Sequence, residues 1–386
     1  MLRIRDRHAA YYLALAEAGA PALSGHGQRE WLRRFDVEFD NLRAVFQHLA
    51  AEDLMRLGVW LFRFTLTRGH TEVLGYLRPV VDRTDLPPTP LLAEAMGVTG
   101  LLLGMLRRTD PGELAAAKAY GEQALVMARA VGDRHAETRA LGKLMDSFYA
   151  AGDFAASREL AEQALAIARE IGDVQLIGEC LQMVGAVTTD PDERRRRCEE
   201  ALACAREAGD ALLESSELDQ LFSIALHAGR IEEGSEYLEE SAALADHIGG
   251  DFIVHLTRSN LALLRLMQGR TAEAAPLIRG VLLFGRRMGP SLVVGEMVFA
   301  AACVAAWQGD LDRAARLFGA GDADIDPSLA MRTILWSPPE QGLREREQAR
   351  VRELLGDAAY EAAYAAGARL PAAQARDLAL SREAGG

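Results

Sequence analysis

The stretch TRALGKLMDSFYAAGDFAASRELAEQALAIAREIGD, residues 138–173, contains a full repeat unit of this chain. Apolar side chains recur every three or four residues on both sides of Gly152, which is the spacing of a helix that buries one face. Glycine adopts the left-handed conformation that ends a helix, and a following aspartate can cap the next helix. The stretch therefore predicts two helices that are joined at Gly152 and closed by Gly172 and Asp173.

Both signals recur along the chain. The helix-closing glycines are separated by 40, 37, 40 and 40 residues, at Gly132, Gly172, Gly209, Gly249 and Gly289. A second series falls inside the repeats, at Gly152, Gly229, Gly269 and Gly309, whereas one unit has TTDP (188–191) at its turn. Two helix ends in each period indicate an array of helical hairpins. We expect helix pairs at about 134–151 with 154–171, 211–228 with 231–248, and 252–268 with 271–288.

Composition narrows the class of protein. Of the 386 residues, 49% are hydrophobic but only 6% are aromatic, which suits close packing of helices through Ala and Leu. The net charge of −13 argues against direct nucleic-acid binding by the whole chain. The four cysteines lack metal-ligand spacing and are predicted to be buried free thiols. We expect a cytoplasmic protein with no membrane segment, no cofactor and no metal.

The repeats resemble tetratricopeptide repeats. Leu141, Leu144 and Phe148 occupy the large first-helix positions, Phe154 is expected to pack beneath the turn, and Ala161 and Ala164 occupy the small second-helix positions. A later repeat matches through Leu261, Ala262, Gly269, Ala274 and Val281. The resemblance implies an all-α, right-handed superhelical array of helical hairpins. We divide the chain into an N-terminal helical adaptor (1–88), a repeat array (89–320) and a C-terminal helical cap (321–386).

Segments outside the repeats carry a second resemblance. FDVEFDNLRAVFQHL (35–49) has three acids before an apolar stripe, which predicts that a helix starts there. Its DNLR string (40–43), LDRAARLFGAGDA (311–323) and the helices within 346–380 are similar to LuxR-type and AfsR-like signal-transduction NTPase regulators of actinobacteria. The resemblance implies a ligand- or protein-binding sensor region of a transcriptional regulator. The ATPase and helix-turn-helix parts of that family are not recognised in this sequence, which has no GxxxxGK[ST] motif.

In tetratricopeptide arrays the first helix of each pair lines a groove, so the resemblance also implies candidate binding residues. They are Arg139, Asp146, Tyr149, Glu179, Asp219, Ser223, His227, Ser259 and Glu296. The alternative is that each is merely a solvated position of an amphipathic helix. Asp146 and Asp219 are expected to point into solvent, and Leu144 and Leu261 into the core. Such a groove would suit a protein, a peptide or a small polar effector.

The basic run Arg194–Arg197 is open to two interpretations. It could form a patch for nucleic acid or an acidic partner, but we favour a solvated helix face paired with Glu199 and Glu200. For the whole chain, the leading hypothesis is a non-enzymatic binding region of a transcriptional regulator. The alternatives are a free-standing tetratricopeptide scaffold and, with no catalytic motif behind it, an enzyme with a pocket in the helical array.

The missing phosphate-binding loop leads to a direct test. Purified protein is expected not to bind ATP in the micromolar range, because no glycine-rich loop and lysine are available to hold its phosphates. Isothermal titration calorimetry measures this, and a gel-shift assay with double-stranded DNA at physiological salt measures the expected lack of DNA binding. Saturable nucleotide binding in the calorimeter would show that the sequence had been misread.

Overall fold

The computed structural model describes residues 2–70, 72–106, 110–249, 251–288, 294–323 and 337–381. These ranges contain helices and no strand, so the all-α prediction is confirmed. The first five α-helices are α1 (Leu2–Gly19), α2 (Gln28–Phe46), α3 (Ala51–Trp60), α4 (Phe62–Arg68) and α5 (Glu72–Val81), with a 3-10 helix at Pro21–Ser24.

Twelve further helices form successive antiparallel pairs. They are α6 (Pro90–Leu106) with α7 (Pro111–Val131), α8 (Arg134–Ala150) with α9 (Phe154–Ile171), α10 (Val174–Val187) with α11 (Pro191–Ala208), α12 (Ala211–His227) with α13 (Ile231–Ile248), α14 (Asp251–Met267) with α15 (Thr271–Met288), and α16 (Val294–Gln308) with α17 (Leu311–Ala323). The last described helices are α18 (Pro338–Leu355), α19 (Asp357–Gly367) and α20 (Ala372–Leu380). The three predicted pairs agree with the observed helix ends to within one residue.

Left-handed glycines end the helices where the sequence predicts. The eight described members of the two glycine series have φ between 60° and 87°, and Gly289 lies outside the described residues. Asp133, Asp173 and Asp210 then accept hydrogen bonds from backbone N–H groups three residues later. Each Gly-Asp pair thus satisfies the polar groups of a helix end and of a helix start.

The unit without a turn glycine uses different chemistry. Helix α10 ends at Val187, the next residue Thr188 is extended, and the Thr188 hydroxyl donates to the Val184 carbonyl at 2.7 Å. Asp190 accepts a hydrogen bond from the Glu193 N–H at 2.7 Å, and Pro191 occupies the first position of α11. Proline there loses no helical hydrogen bond, so the hairpin closes without a left-handed residue.

Contacts divide the chain into two compact units. The N-terminal unit comprises Met1–Glu217 and His247–Gly249, and the C-terminal unit comprises Leu218–Asp246 and Gly250–Gly386. In the N-terminal unit the main apolar core runs from α1 to α11. In the C-terminal unit the main core involves α14 to α20. The three-segment division from the sequence stays a prediction.

The predicted helix start near Asp36 is wrong. Helix α2 begins eight residues earlier, at Gln28, because Leu32 and Phe35 extend its buried face. Two of the three acids bind other helices from the middle of α2. The Asp36 carboxylate pairs with Arg68 at 2.7 Å, and the Glu38 carboxylate accepts from the Tyr12 hydroxyl at 2.6 Å. The acids therefore hold α1 and α4 against α2 instead of capping a new helix.

Most of the predicted packing positions are buried. Leu141, Leu144, Ala161 and Ala164 are each at most 4% exposed, as the repeat pattern requires. Leu261 is only half-buried, because it borders a cavity between α13, α14 and α15. Phe154 was expected beneath the turn but is 44% exposed, and its ring meets the edge of Tyr149 with centroids 5.4 Å apart.

In the C-terminal unit, α17 and α19 touch through their backbones. A Cβ atom on Gly319 would lie 2.0 Å from the Tyr364 carbonyl oxygen, and one on Gly367 would lie 1.8 Å from that of Arg316. Both distances are far inside van der Waals contact, and backbone atoms cannot move aside as a flexible side chain can. The two glycines therefore fix how closely α19 approaches the last hairpin.

Gly319→Ala and Gly367→Ala are expected to lower the free energy of unfolding by roughly 1–3 kcal/mol or more, because overpacking forces the two helices apart. Urea denaturation followed by circular dichroism measures the change. Gly342→Ala is the matched control, since its Cβ would meet open space within α18. Equal stability of all three variants would contradict the proposed close contact.

Candidate functional site

In the N-terminal unit, α8 presents a polar row on its first-helix face. Arg139, Lys143 and Asp146 follow one another at four and three residues, which places them on one side of the helix. The Arg139 Nε lies 2.5 Å from the Glu94 carboxylate on α6. The Lys143 ammonium lies 5.5 Å from the ring centroid of Phe62 on α4. The row is therefore bordered by the preceding hairpin and by an N-terminal helix.

Lys143 is the electrostatic centre of this face. Burial lowers the pKa of its ammonium to about 8, and the nearby Glu94, Glu179 and Asp146 partly oppose that change. Burial also raises the pKa of the Asp146 carboxyl to about 7, which the Lys143 charge partly offsets. We call Glu94, Arg139, Lys143, Asp146 and Glu179 the Lys143 cluster. Two of its groups thus have pKa values close to neutral pH, which is common where proteins bind ligands or perform chemistry.

Glu179 is already engaged by an N-terminal helix. The Arg63 guanidinium on α4 lies 2.6 Å from the Glu179 carboxylate and 2.5 Å from that of Asp210. Asp210 is fully buried and also accepts a hydrogen bond from the Gln28 side-chain amide at 3.0 Å. Glu179, which the resemblance makes a candidate binding residue, is therefore already paired with a cation of its own unit.

Asp146 and Asp219 do not simply point into solvent as expected. Both residues are half-buried. In the C-terminal unit, one carboxylate oxygen of Asp219 accepts from the Thr257 hydroxyl at 3.1 Å, while its other oxygen is buried and has no hydrogen-bond partner among the described residues. Burial raises the pKa of Asp219 to about 6, and hydrogen bonds from Ser241 and Thr257 limit that rise. Ordinary helix periodicity missed this burial because it treats each helix alone.

The remaining candidates do not form one cluster. Tyr149 packs against Phe154 in the N-terminal unit. In the C-terminal unit Ser259 is 1% exposed, and its hydroxyl donates to the His255 carbonyl at 2.7 Å, so the expected groove position is instead an internal one. The His227 ring nitrogen lies 2.8 Å from the Ser223 carbonyl, and Glu296 is half-buried in the first turn of α16.

Sequence reasoning missed the two most informative cations of the N-terminal unit. Lys143 follows Arg139 by four residues, so the helical period alone could have placed it in the row. Arg63 lies more than one hundred positions before Glu179, and no local pattern connects them. The contact became visible only when the N-terminal helices were folded against the repeats.

The basic run Arg194–Arg197 is mainly a paired helix face. Arg195 binds Glu199 at 2.8 Å, as predicted. The expected pairing with Glu200 is wrong, because the Glu200 carboxylate lies 2.7 Å from Arg169 on the preceding hairpin. Long guanidinium side chains reach neighbouring hairpins as easily as their own helix, so spacing along one helix did not decide the partner.

A carboxylate is buried between α10, α11 and α12 of the N-terminal unit. Glu217 has no exposed surface, and neither of its oxygens meets a partner with hydrogen-bond geometry in the described part of the chain. Burial raises its pKa to about 7, while the nearby Cys198 thiol, the Gln182 amide and the Arg194 charge limit the rise. The neutral form is therefore favoured in the folded protein relative to an exposed glutamate.

Metal and membrane chemistry receive no support from the described residues. Among them, no group of three or more His, Cys, Asp and Glu side chains could hold a metal ion. No described helix is both long and apolar enough to cross a bilayer. Cys180, Cys198 and Cys303 are buried free thiols, as predicted, whereas the free thiol Cys204 is only half-buried.

Comparison with known proteins identifies similar folds but no family for this chain. No family model matches the sequence, and neither does any curated protein. Among solved structures, a Rap protein complexed with competence and sporulation factor matches with a TM-score of 0.57 and 14% identity, over 93% of this chain and 96% of that one. The apo form of the quorum sensor NprR from B. thuringiensis matches with a TM-score of 0.52 and 15% identity, over 95% and 97% of the two chains.

A third similar structure contains a repeat sensor within a larger protein. It is the STAND protein PH0952 from Pyrococcus horikoshii, a signal transduction ATPase with a tetratricopeptide repeat sensor. The match has a TM-score of 0.52 and 17% identity, over 88% of this chain and 50% of that chain. These likenesses confirm the fold class of tetratricopeptide-like helical repeats. Because the sequence identities are only 14–17%, these structures support a similar fold and nothing about function.

Glu217→Gln is expected to increase stability at pH 8 and to change it little at pH 4.5. A carboxyl whose pKa rises from 4.5 to about 7 on folding destabilises the fold progressively as the pH increases between those values. The gain at pH 8 is at most roughly 3 kcal/mol. Urea unfolding at both pH values measures it. Glu199→Gln is the control, since exposed ion pairs contribute little, and a pH-independent effect of Glu217→Gln would contradict the burial argument.

Proposed function

We propose that this chain is a non-enzymatic sensor region that binds a protein or peptide through the first-helix face of its N-terminal unit. The Lys143 cluster carries the proposal. It joins charged groups from three successive first helices, α6, α8 and α10. Burial has displaced the pKa of its central ammonium, and in the described part of the chain no carboxylate forms a salt bridge with Lys143. A desolvated charge of this kind gains strongly from a ligand that supplies the opposite charge.

The chemistry of the cluster suggests which ligand groups it would bind. Arg139 is paired with Glu94, and Glu179 is paired with Arg63. Lys143 and Asp146 are the members whose charge is least compensated, and they lie one helical turn apart. A polar ligand that offers an acceptor to Lys143 and a donor to Asp146 would satisfy both groups. Backbone amides of an extended peptide offer both functions at short spacing.

The similar structures are consistent with this role. The Rap protein was solved with competence and sporulation factor, NprR is described as a quorum sensor, and PH0952 carries a repeat sensor. We extend the role of sensing to this chain because its polar residues lie on the first helices of a related fold. We further propose, from the resemblance of residues 35–49 and 311–323, that the chain serves a transcriptional regulator of the signal-transduction NTPase type.

Ligand binding would act on this region by shifting its conformational equilibrium. A ligand that bridges several first helices favours the arrangement of hairpins in which those helices are correctly spaced. The ligand can change the free-energy difference between two arrangements of the hairpins only by the difference between its binding free energies for them. The binding energy is therefore expected to be spread over α6, α8 and α10 instead of one residue.

The test uses a peptide selected from a random display library against the full chain. Lys143→Met and Asp146→Asn are expected to weaken its binding by about tenfold or more, which fluorescence anisotropy measures. Both changes remove a charge while keeping most of the side-chain volume. Melting temperatures at neutral pH should stay equal or rise, because each change removes a charge that burial disfavours.

Lys118→Met and Asp192→Asn are the matched controls. Lys118 pairs with Glu122 on α7, and Asp192 is exposed in the first turn of α11, so neither belongs to the cluster. Unchanged affinity in the Lys143 and Asp146 variants, or an equal loss in the controls, would show that the peptide binds elsewhere.

A further inference from the structure

The C-terminal unit contains a cavity of about 220 Å³ between α13, α14 and α15. Most of the residues that line it have small or aliphatic side chains. They are Ala242, Ala245, Val254, Leu261, Leu277 and Gly280. An apolar cavity of about 150 Å³ in a protein can hold benzene. The space is therefore sufficient for an aliphatic side chain together with part of the group that carries it.

Helix α15 leaves this space open at Gly280. A Cβ atom added there would meet no heavy atom within 4 Å, and Gly280 does not have the positive φ that would require glycine. Glycine inside a helix is less favourable than alanine. The backbone therefore does not explain the glycine, whereas a side chain at this position would project into the cavity region.

Two opposite charges also line the cavity. The Arg258 guanidinium on α14 lies 2.9 Å from the Asp246 carboxylate on α13, and both side chains are solvent-accessible, with 39% and 62% of their surface exposed. An exposed ion pair of this kind is weak, so each partner can exchange the other for a ligand group. An apolar space with one cation and one anion at its solvent side fits a small zwitterion with an aliphatic tail.

The hydroxyl group of the cavity wall is already used in an internal hydrogen bond. The Thr257 hydroxyl, which belongs to a fully buried residue of the cavity wall, donates to Asp219 at 3.1 Å. The lining residues that the structure describes therefore offer no free hydroxyl donor to a polar tail. A ligand with its charges at one end and hydrocarbon at the other matches this distribution.

We propose that the cavity binds a free α-amino acid with an aliphatic side chain of about the size of leucine. The ligand carboxylate would pair with Arg258, its ammonium with Asp246, and its side chain would occupy the space beside Gly280. This site goes beyond the proposed peptide-binding role. It lies within the C-terminal unit and shares no residue with the Lys143 cluster, so either proposal can fail without the other.

The experiment is calorimetric titration of the full chain with L-leucine. We expect a dissociation constant below about 1 mM and binding at least about tenfold weaker for glycine, which lacks the side chain. Leucinamide lacks the carboxylate and 4-methylpentanoate lacks the ammonium, so each should also bind at least about tenfold more weakly. The dipeptides Leu-Gly and Gly-Leu test whether a peptide end is preferred, and tighter binding of either would overturn the assignment to a free amino acid.

Gly280→Leu is the decisive variant, because it fills the cavity without removing any contact. It is expected to abolish leucine binding while the melting temperature stays equal or rises, since leucine favours a helix more than glycine does. Gly342→Leu makes the same change in α18, where the position is exposed and open, and should bind leucine normally.

Arg258→Met supplies a second and independent measurement. Without the guanidinium, leucine and leucinamide should bind with similar affinity, because the carboxylate no longer contributes. Leucine binding that survives Gly280→Leu, a preference for leucine over leucinamide that survives Arg258→Met, or no heat of binding in the unaltered protein would each overturn the proposal.

Discussion

Each hairpin of this protein depends on ending one helix and starting the next within very few residues. A helix end leaves several carbonyl and N–H groups without partners, and a turn between packed helices has little room to satisfy them with water. A left-handed glycine followed by a capping aspartate meets both needs at Gly132, Gly172 and Gly209. Because these signals lie about forty residues apart, they set the length of the hairpins and so the register in which the first helices align.

Asp210 shows how the same local device takes on a second role. Like Asp133 and Asp173 it caps a helix, yet it is fully buried because Arg63 and Gln28 of the N-terminal helices cover it. Removing a carboxylate from water is unfavourable unless charge and hydrogen bonds replace the solvent. The guanidinium and the amide supply these, and the cap thereby becomes the attachment point of the N-terminal helices to the repeats.

The candidate binding residues differ in whether their polar groups already have partners within the fold. Glu179 and Ser259 are used internally, by Arg63 and by the His255 carbonyl. Lys143 has a displaced pKa and no salt bridge to any carboxylate that the structure describes, so a ligand of opposite charge would stabilise it more than the other residues of the first-helix face. Helix periodicity places these residues on the first-helix face but does not show which of them are already paired. Their partners lie on helices that are distant in the sequence.

Local sequence patterns predict the helical hairpins, their ends and most of their buried faces, because helix period, left-handed glycines and aspartate caps act over a few neighbouring residues. The prediction failed at residues 35–49, where Leu32 and Phe35 extend α2 backwards and the acids bind Tyr12 and Arg68. Packing between distant helices places Arg63 on Glu179, buries Glu217 and leaves a cavity beside Gly280. These features arise where separate helices meet, and the free energy of such contacts depends on shape and desolvation that no local spacing encodes.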